Sequence, residues 1–146
     1  MKDLAWEIGE TSRMMRRFYD RRAAALGVTT AQWRVIGHLG RSPGLKQVEL
    51  AERLDVEPIT ACRIVDRLEE AGLVERQRDP EDRRAWRLVL TDQAQPIFRR
   101  LGDLAEEMAG EAFAGFSRDE CEAIRAKLAR VRVNVSRAEA AMRKSA

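Results

Sequence analysis

Two groups of residues in this sequence have the types and spacing to recognise a negatively charged, hydrogen-bonding polymer. The first is Thr60, Arg63 and Arg67, with Ile59 just before them. Offsets of three and four place Thr60, Arg63 and Arg67 on one ridge if the segment is helical. An arginine near the start of such a helix can donate two bonds to the O6 and N7 of guanine, worth ~1–3 kcal/mol of discrimination. A threonine there can bond a phosphate or set its methyl against thymine, and Ile59 offers another apolar contact. The second group is Asp82-Arg83-Arg84 in a polar, turn-prone run. Asp82 is expected to pair with one arginine and fix the loop. The other arginine would then extend, as suits a narrow minor groove with enhanced negative potential.

The elements that must present these groups can be read from the spacing of apolar residues and from caps. A first helix is expected from about Lys2 to Ala25, through Leu4, Ile8, Met15 and Phe18, ending where Gly27 can adopt a left-handed conformation. Thr29 or Thr30 caps a second helix that stops near Gly40, and Ser42-Pro43-Gly44 makes a turn. Lys46 to Leu54 form a short third helix with Val48, Leu50, Ala51 and Leu54 facing inward. After the tight link Asp55-Val56-Glu57, Pro58 opens a fourth helix, where its missing N–H has no helical partner to lose. In that helix Ala61, Ile64, Val65 and Leu68 face the third helix.

Leu73–Arg78 and Trp86–Thr91 read as a two-stranded hairpin, with Trp86, Leu88 and Leu90 alternating against Arg87 and Val89. Thr91 is expected to cap a fifth helix, with Ile97, Leu101, Leu104 and Met108 as its stripe and Pro96 in its second turn. Ser117 and Glu120 form a capping box for a sixth. Its apolar rhythm, Cys121, Ile124, Leu128, Val131, Val135, Ala138, Met142, makes a continuous seam, expected to meet a second copy of the chain.

The fold class expected is mainly α with a small β-hairpin wing (α+β): a winged helix-turn-helix with a helical dimerisation region. Residues 1–28 and 92–146 would make the dimerisation region. Residues 29–91 would make the DNA-binding lobe, with the helix-turn-helix at 47–70 and the wing at 73–91. The second helix of the pair would enter a major groove with its N-terminal end toward the bases.

Composition narrows the function. The chain has 146 residues, 45% of them hydrophobic and 35% charged, with a net charge of +3. The charge is uneven. Residues 11–46 carry eight basic side chains against Asp20 alone, and such a block can steer phosphates from a distance. From Pro58 to Thr91 seven basic and seven acidic residues balance, so this part would bind DNA through placed arginines rather than bulk charge. Two cysteines, Cys62 and Cys121, and one histidine, His38, fall short of a four-ligand zinc site. There is no glycine-rich phosphate loop and no Ser-His-Asp set, so an enzyme is not expected, nor is a cofactor. No apolar run reaches the ~20 residues of a membrane span. The acidic start MKDLAWEIGE is unlike a secretory signal, so a cytoplasmic location is expected.

The segment LAERLDVEPITACRIVDRLEEAGLVERQRDPEDRRAWRLVLT, with TTAQW opening the second helix, resembles the MarR family of bacterial transcription regulators, nearest its SlyA-like branch. The likeness covers nearly the whole chain, and DPEDRR is its most specific element. It implies a homodimer built by helices one, five and six, with one winged lobe per subunit reading a roughly palindromic stretch of double-stranded DNA. It further implies Arg63 and Arg84 as leading DNA contacts, with Asp82 stabilising the wing. A small phenolic or aromatic anion is implied as effector, between the lobe and the dimer helices, with Met14, Arg17, Trp33 and His38 as candidate contacts. Two positions depart from the family pattern: Cys62 stands where Thr, Ser or Val is commoner, and Glu57-Pro58 replaces a Ser-type cap. Two other readings stay open: a regulator switched by cysteine oxidation, most simply at Cys62, and a winged-helix module used only for protein contacts.

Overall fold

The computed structural model describes residues 1–145. It begins with α1 (Lys2–Ala25) and α2 (Thr30–Arg41), and then a two-residue strand β1 (Leu45–Lys46). The helix pair α3 (Gln47–Leu54) and α4 (Pro58–Glu70) follows, then strands β2 (Val74–Arg78) and β3 (Trp86–Leu90). A 3-10 turn (Asp92–Ala94), α5 (Gln95–Ala112) and α6 (Arg118–Ser145) complete the order. The fold is mainly helical with a small three-stranded antiparallel sheet of order β1-β3-β2.

Local chemistry accounts for most boundaries. Gly27 has φ +74 and stops α1 in the left-handed region, where a Cβ would be strained. Thr29 accepts the Gln32 N–H at 3.2 Å and Gln32 returns a bond to the Thr29 N–H at 2.9 Å, so α2 begins with two otherwise orphaned donors satisfied. Pro58 sits in the first turn of α4 as expected.

Several expectations need correction. The sheet has a third strand: β1 pairs with β3, placing Leu45 opposite Leu88 and Lys46 opposite Arg87. Two residues are too few for an alternation to show, and this strand takes Lys46 out of α3, which starts at Gln47. Val48 faces outward, 63% exposed, while Leu50, Ala51 and Leu54 are buried. Thr91 precedes the 3-10 turn and makes no side-chain cap bond. Its hydroxyl instead donates to the Gly72 carbonyl at 2.6 Å, tying the end of β3 to the end of α4. Pro96 therefore lies in the first turn of α5, where no N–H is needed.

The chain divides into two compact units, Met1–Met108 and Ala109–Ala146. The first holds one apolar core. Val35, Ile36 and Leu39 from α2, Leu50 and Leu54 from α3, and Val65 and Leu68 from α4 meet Val74 and Leu88 of the sheet. Both ends of this unit close the core, Ala23 from α1 and Leu101 and Leu104 from α5. The Tyr19 hydroxyl fixes that closure by donating to the Leu101 carbonyl at 2.7 Å. Each fully buried Leu or Ile contributes roughly 1.5–3 kcal/mol.

The second unit contains the end of α5, a turn and α6. Phe113 and Phe116 meet edge to face at 5.9 Å. The Ser117–Glu120 capping box forms as expected, with bonds of 2.8 and 3.2 Å. Within α6 no described residue is buried in the single chain, and Val131, Val135 and Met142 lie open on its apolar seam.

Candidate nucleic-acid interface

The link between α3 and α4 sets the angle of the helix pair. Asp55 takes φ 55, and Val56 N–H reaches back to the Ala51 carbonyl at 3.2 Å. From α2, Arg34 Nη2 donates to the Leu54 carbonyl at 2.5 Å, satisfying an orphaned acceptor at the end of α3. These bonds and the buried residues Ala61, Val65 and Leu68 fix which face of α4 is left outside. That face carries Ile59, Thr60, Arg63 and Arg67, all exposed. Among the described residues Arg63 and Arg67 have no ion-pair partner, and Glu70 does not hold Arg67.

A third face of α4 is engaged elsewhere. Cys62, Asp66 and Glu69 follow one another at spacings of four and three and meet Arg76 of β2. Arg76 Nη2 lies 2.6 Å from Asp66 and Nη1 2.5 Å from Glu69. The half-buried Cys62 thiol is 3.8 Å from Arg76 Nη2 and 3.8 Å from Asp66 Oδ2, so it faces this cluster.

The wing is organised by Asp79. It is 3% exposed. Its Oδ1 accepts the N–H groups of Glu81 at 2.8 Å and Asp82 at 3.1 Å. Its Oδ2 accepts Arg87 Nε at 2.9 Å and lies 3.6 Å from Lys46 Nζ. The Glu81 N–H and the Arg87 guanidinium outweigh desolvation and hold the Asp79 carboxyl down at about 2. The expectation for Asp82 is corrected here. Its Oδ1 accepts the backbone N–H of Arg84 at 3.0 Å, so it shapes the tip rather than gripping a guanidinium. The short Asp side chain reaches the main chain two residues on before it can reach an arginine head.

On the other side of the tip, Arg78 lies over the Trp86 ring at 4.2 Å and donates to the Arg83 carbonyl at 2.9 Å. Arg78 and Trp86 are directly opposed in the β2–β3 register. With the loop held from both sides, the side chains of Arg83 and Arg84 are exposed, and among the described residues neither forms an ion pair.

Sequence reasoning missed Arg76 and Asp79. Arg76 shares a strand face with the buried Val74, and an arginine on an inward face requires carboxylates. Asp79 precedes Pro80, a pairing that favours turn initiation.

None of the four candidate effector residues lines the cavity described below. Met14 is 62% exposed and Arg17 is exposed. Trp33 Nε1 donates to Asp20 at 2.7 Å, and its ring lies 4.5 Å from Tyr19, a packed arrangement that leaves it no free polar atom. His38 is half-buried, and its pKa is lowered by burial first and then by Arg53, Arg34 and Arg41. A cavity of about 180 Å³ lies elsewhere in the first unit, lined by Leu26, Val28, Gln32, Ile36, Ile97 and Arg100 among others. Among the described residues no group of His, Cys, Asp and Glu is placed to hold a metal ion, and no helix is long and apolar enough to cross a membrane.

Residues 26–85 match the sequence profile of the MarR family. A solved structure of the transcriptional regulator PA3341 is 33% identical, with 92% of this chain and 98% of that one aligned at a TM-score of 0.83. A crystal structure of MarR is 32% identical over the same shares, with a TM-score of 0.72. A Listeria monocytogenes protein assigned to the MarR family of transcriptional regulators, solved in complex with a 26mer DNA, is 22% identical. It aligns over 92% of this chain and 90% of its own, with a TM-score of 0.81.

Proposed function

The chain belongs to the MarR family, and on that basis we propose that it is a transcription regulator that reads double-stranded DNA as a homodimer. One observation carries the proposal. Arg76 and Arg87 are held by carboxylates within the lobe, whereas Arg63, Arg67, Arg83 and Arg84 are exposed and, among the described residues, have none. Their guanidinium donors are therefore free to meet an external anion such as a phosphate or a base edge. The presence of DNA in the Listeria complex supports duplex DNA as that anion.

In this reading the N-terminal half of α4 enters a major groove. Thr60 and Arg63 face base edges or phosphates, with Ile59 beside them as an apolar contact and Arg67 further along the groove wall. Asp82 shapes the tip so that Arg83 and Arg84 reach the adjacent minor groove. Residues 1–28 and 92–146 make the dimerisation region, residue 146 lying outside the described part. Residues 29–91 make the reading lobe. The exposed Leu4 and Trp6 of α1 and the open seam of α6 support pairing with a second copy. Two copies would place their recognition helices about 34–36 Å apart, one turn of B-DNA, on a roughly palindromic operator. The finer assignment to the SlyA-like branch rests on DPEDRR and TTAQW, and a cytoplasmic location follows from the proposed role.

For an effector we propose a small aromatic anion in the 180 Å³ cavity, where apolar walls meet the Arg100 guanidinium. Isothermal titration with benzoate-type anions tests this, and heat retained in Arg100→Ala would move the site away from this cavity.

Selection of bound duplexes from a random pool, followed by binding across a salt series, tests the regulator reading. A two-fold symmetric motif and a steep fall of affinity with log salt are expected. A stable monomer that enriches no sequence would rule it out and leave the winged-helix module for protein contacts.

A further inference from the structure

Arg76 is 15% exposed and spans three elements. From β2, its Nε donates to Gln47 Oε1 of α3 at 3.2 Å. Nη1 and Nη2 hold Glu69 and Asp66 of α4, and the Arg76 backbone N–H bonds Glu69 as well, at 3.2 Å. The guanidinium thus closes a bracket around the root of the wing and the flank of the recognition helix. A guanidinium presents its donors in a rigid planar fork spread over three nitrogens, whereas the three donors of an ammonium radiate from one atom and cannot keep the same spacing. Asp66 and Glu69 also lie one turn apart on the same face, where two carboxylates repel each other unless a cation sits between them.

Building on the DNA-reading role proposed above, we infer that Arg76 is a positioning residue that sets the separation between the α4 reading face and the wing tip, and so the groove spacing the lobe accepts. Arg76 touches neither Arg63 nor Arg84. It fixes the frame from which both extend. With the bracket intact, engagement of the major groove delivers the wing to the neighbouring groove at a high effective concentration. With it open, the wing samples other positions and Arg84 contributes less.

The test compares wild type, Arg76→Gln, Arg76→Lys and the double variant Asp66→Asn/Glu69→Gln, each with and without Arg84→Ala, on the selected operator and on random duplex. Measurements are made well below each variant's melting temperature. Arg76→Gln should lower operator affinity by about tenfold, the scale of one well-placed base contact, with random-duplex affinity nearly unchanged. The penalty of Arg84→Ala should shrink at least about threefold in the Arg76→Gln background, since coupled residues do not add. Arg76→Lys keeps the charge and should not rescue. The double variant opens the bracket from the α4 side and should reproduce the same losses, which keeps the test available if Arg76→Gln does not fold.

Wild type that prefers no operator would defeat the regulator reading itself. Wild type that does, with an undiminished Arg84 penalty in the Arg76 variants, or full rescue by lysine, would overturn the positioning role.

Discussion

Lys46 and Arg87 are directly opposed across the β1–β3 pair, and a single carboxylate, Asp79, faces both. Like charges in opposed positions of an antiparallel pair destabilise it. Here the buried Asp79 turns that repulsion into a clamp that joins the strand before α3 to the root of the wing.

The clamp gives a defined acid response. Asp79 titrates at about 2 in the folded chain, against 3.8 ordinarily, so the folded state holds the charged form more tightly than the unfolded one. Its contribution is complete above pH 4 and is lost as the pH falls toward 2. Asp79→Asn should lower stability at pH 7, flatten the acid limb between pH 4 and 2, and weaken operator binding by loosening the tip. Urea unfolding at several pH values reads the first two. An unchanged acid limb would show that Asp79 does not carry the clamp.

Gly40 of α2 is the close-approach point for α5. A Cβ built there overlaps the Phe98 ring, so the two helices meet at this distance only because position 40 lacks a side chain. Gly40→Ala should cost about 1–3 kcal/mol by overpacking, read from chemical denaturation. Stability equal to wild type would mean that Phe98 swings aside freely.

Arg63→Ala and Arg84→Ala should separate the two reading elements. Loss of Arg63 should weaken operator binding and blur preference at one base pair, by ~1–3 kcal/mol of discrimination. Loss of Arg84 should weaken binding more evenly across sequences. Footprints and affinities that match wild type in both variants would remove these residues from the interface.

His38 offers a probe within the lobe. Burial, then Arg53, Arg34 and Arg41, hold its pKa below 6.5. The unfolded chain takes up this proton first, so stability should fall as the pH drops below 6.5, and His38→Gln should reduce that slope. As the sole histidine, it gives an unambiguous imidazole signal by NMR. Titration at or above 6.5 would contradict the packing described for α2 and α3.

Much of the fold was legible because its signals are local. The bounds of α1, the Thr29 and Ser117 caps, Pro58 and the outward ridge of Thr60, Arg63 and Arg67 depend on residues a few positions apart. What the sequence hid is long-range. Strand β1 is two residues long, and its existence depends on β3, more than forty positions away. Val48 occupies an inward slot of the pattern but lies at the first turn of an eight-residue helix, where little of the core reaches it. Asp82 adjoins the arginines in sequence and so looks like their anchor. Asp79 holds that role because the chain folds back to bring Lys46 and Arg87 onto it. Arg76 is invisible as a hub until α3, α4 and β2 are seen together.

The bond from Tyr19 to Leu101 spans 82 positions and seals the interior of the first unit from both ends of its sequence. A ribosome adding about 5–20 residues per second needs roughly 4–16 s to make that interval. Through this time Ala23 and Ile36 have no lid from α5, and the nascent helix-turn-helix stays sticky. Newly made chains should therefore depend on holding chaperones until α5 emerges, and a stop codon just after the wing should yield insoluble fragments rather than a small working reader.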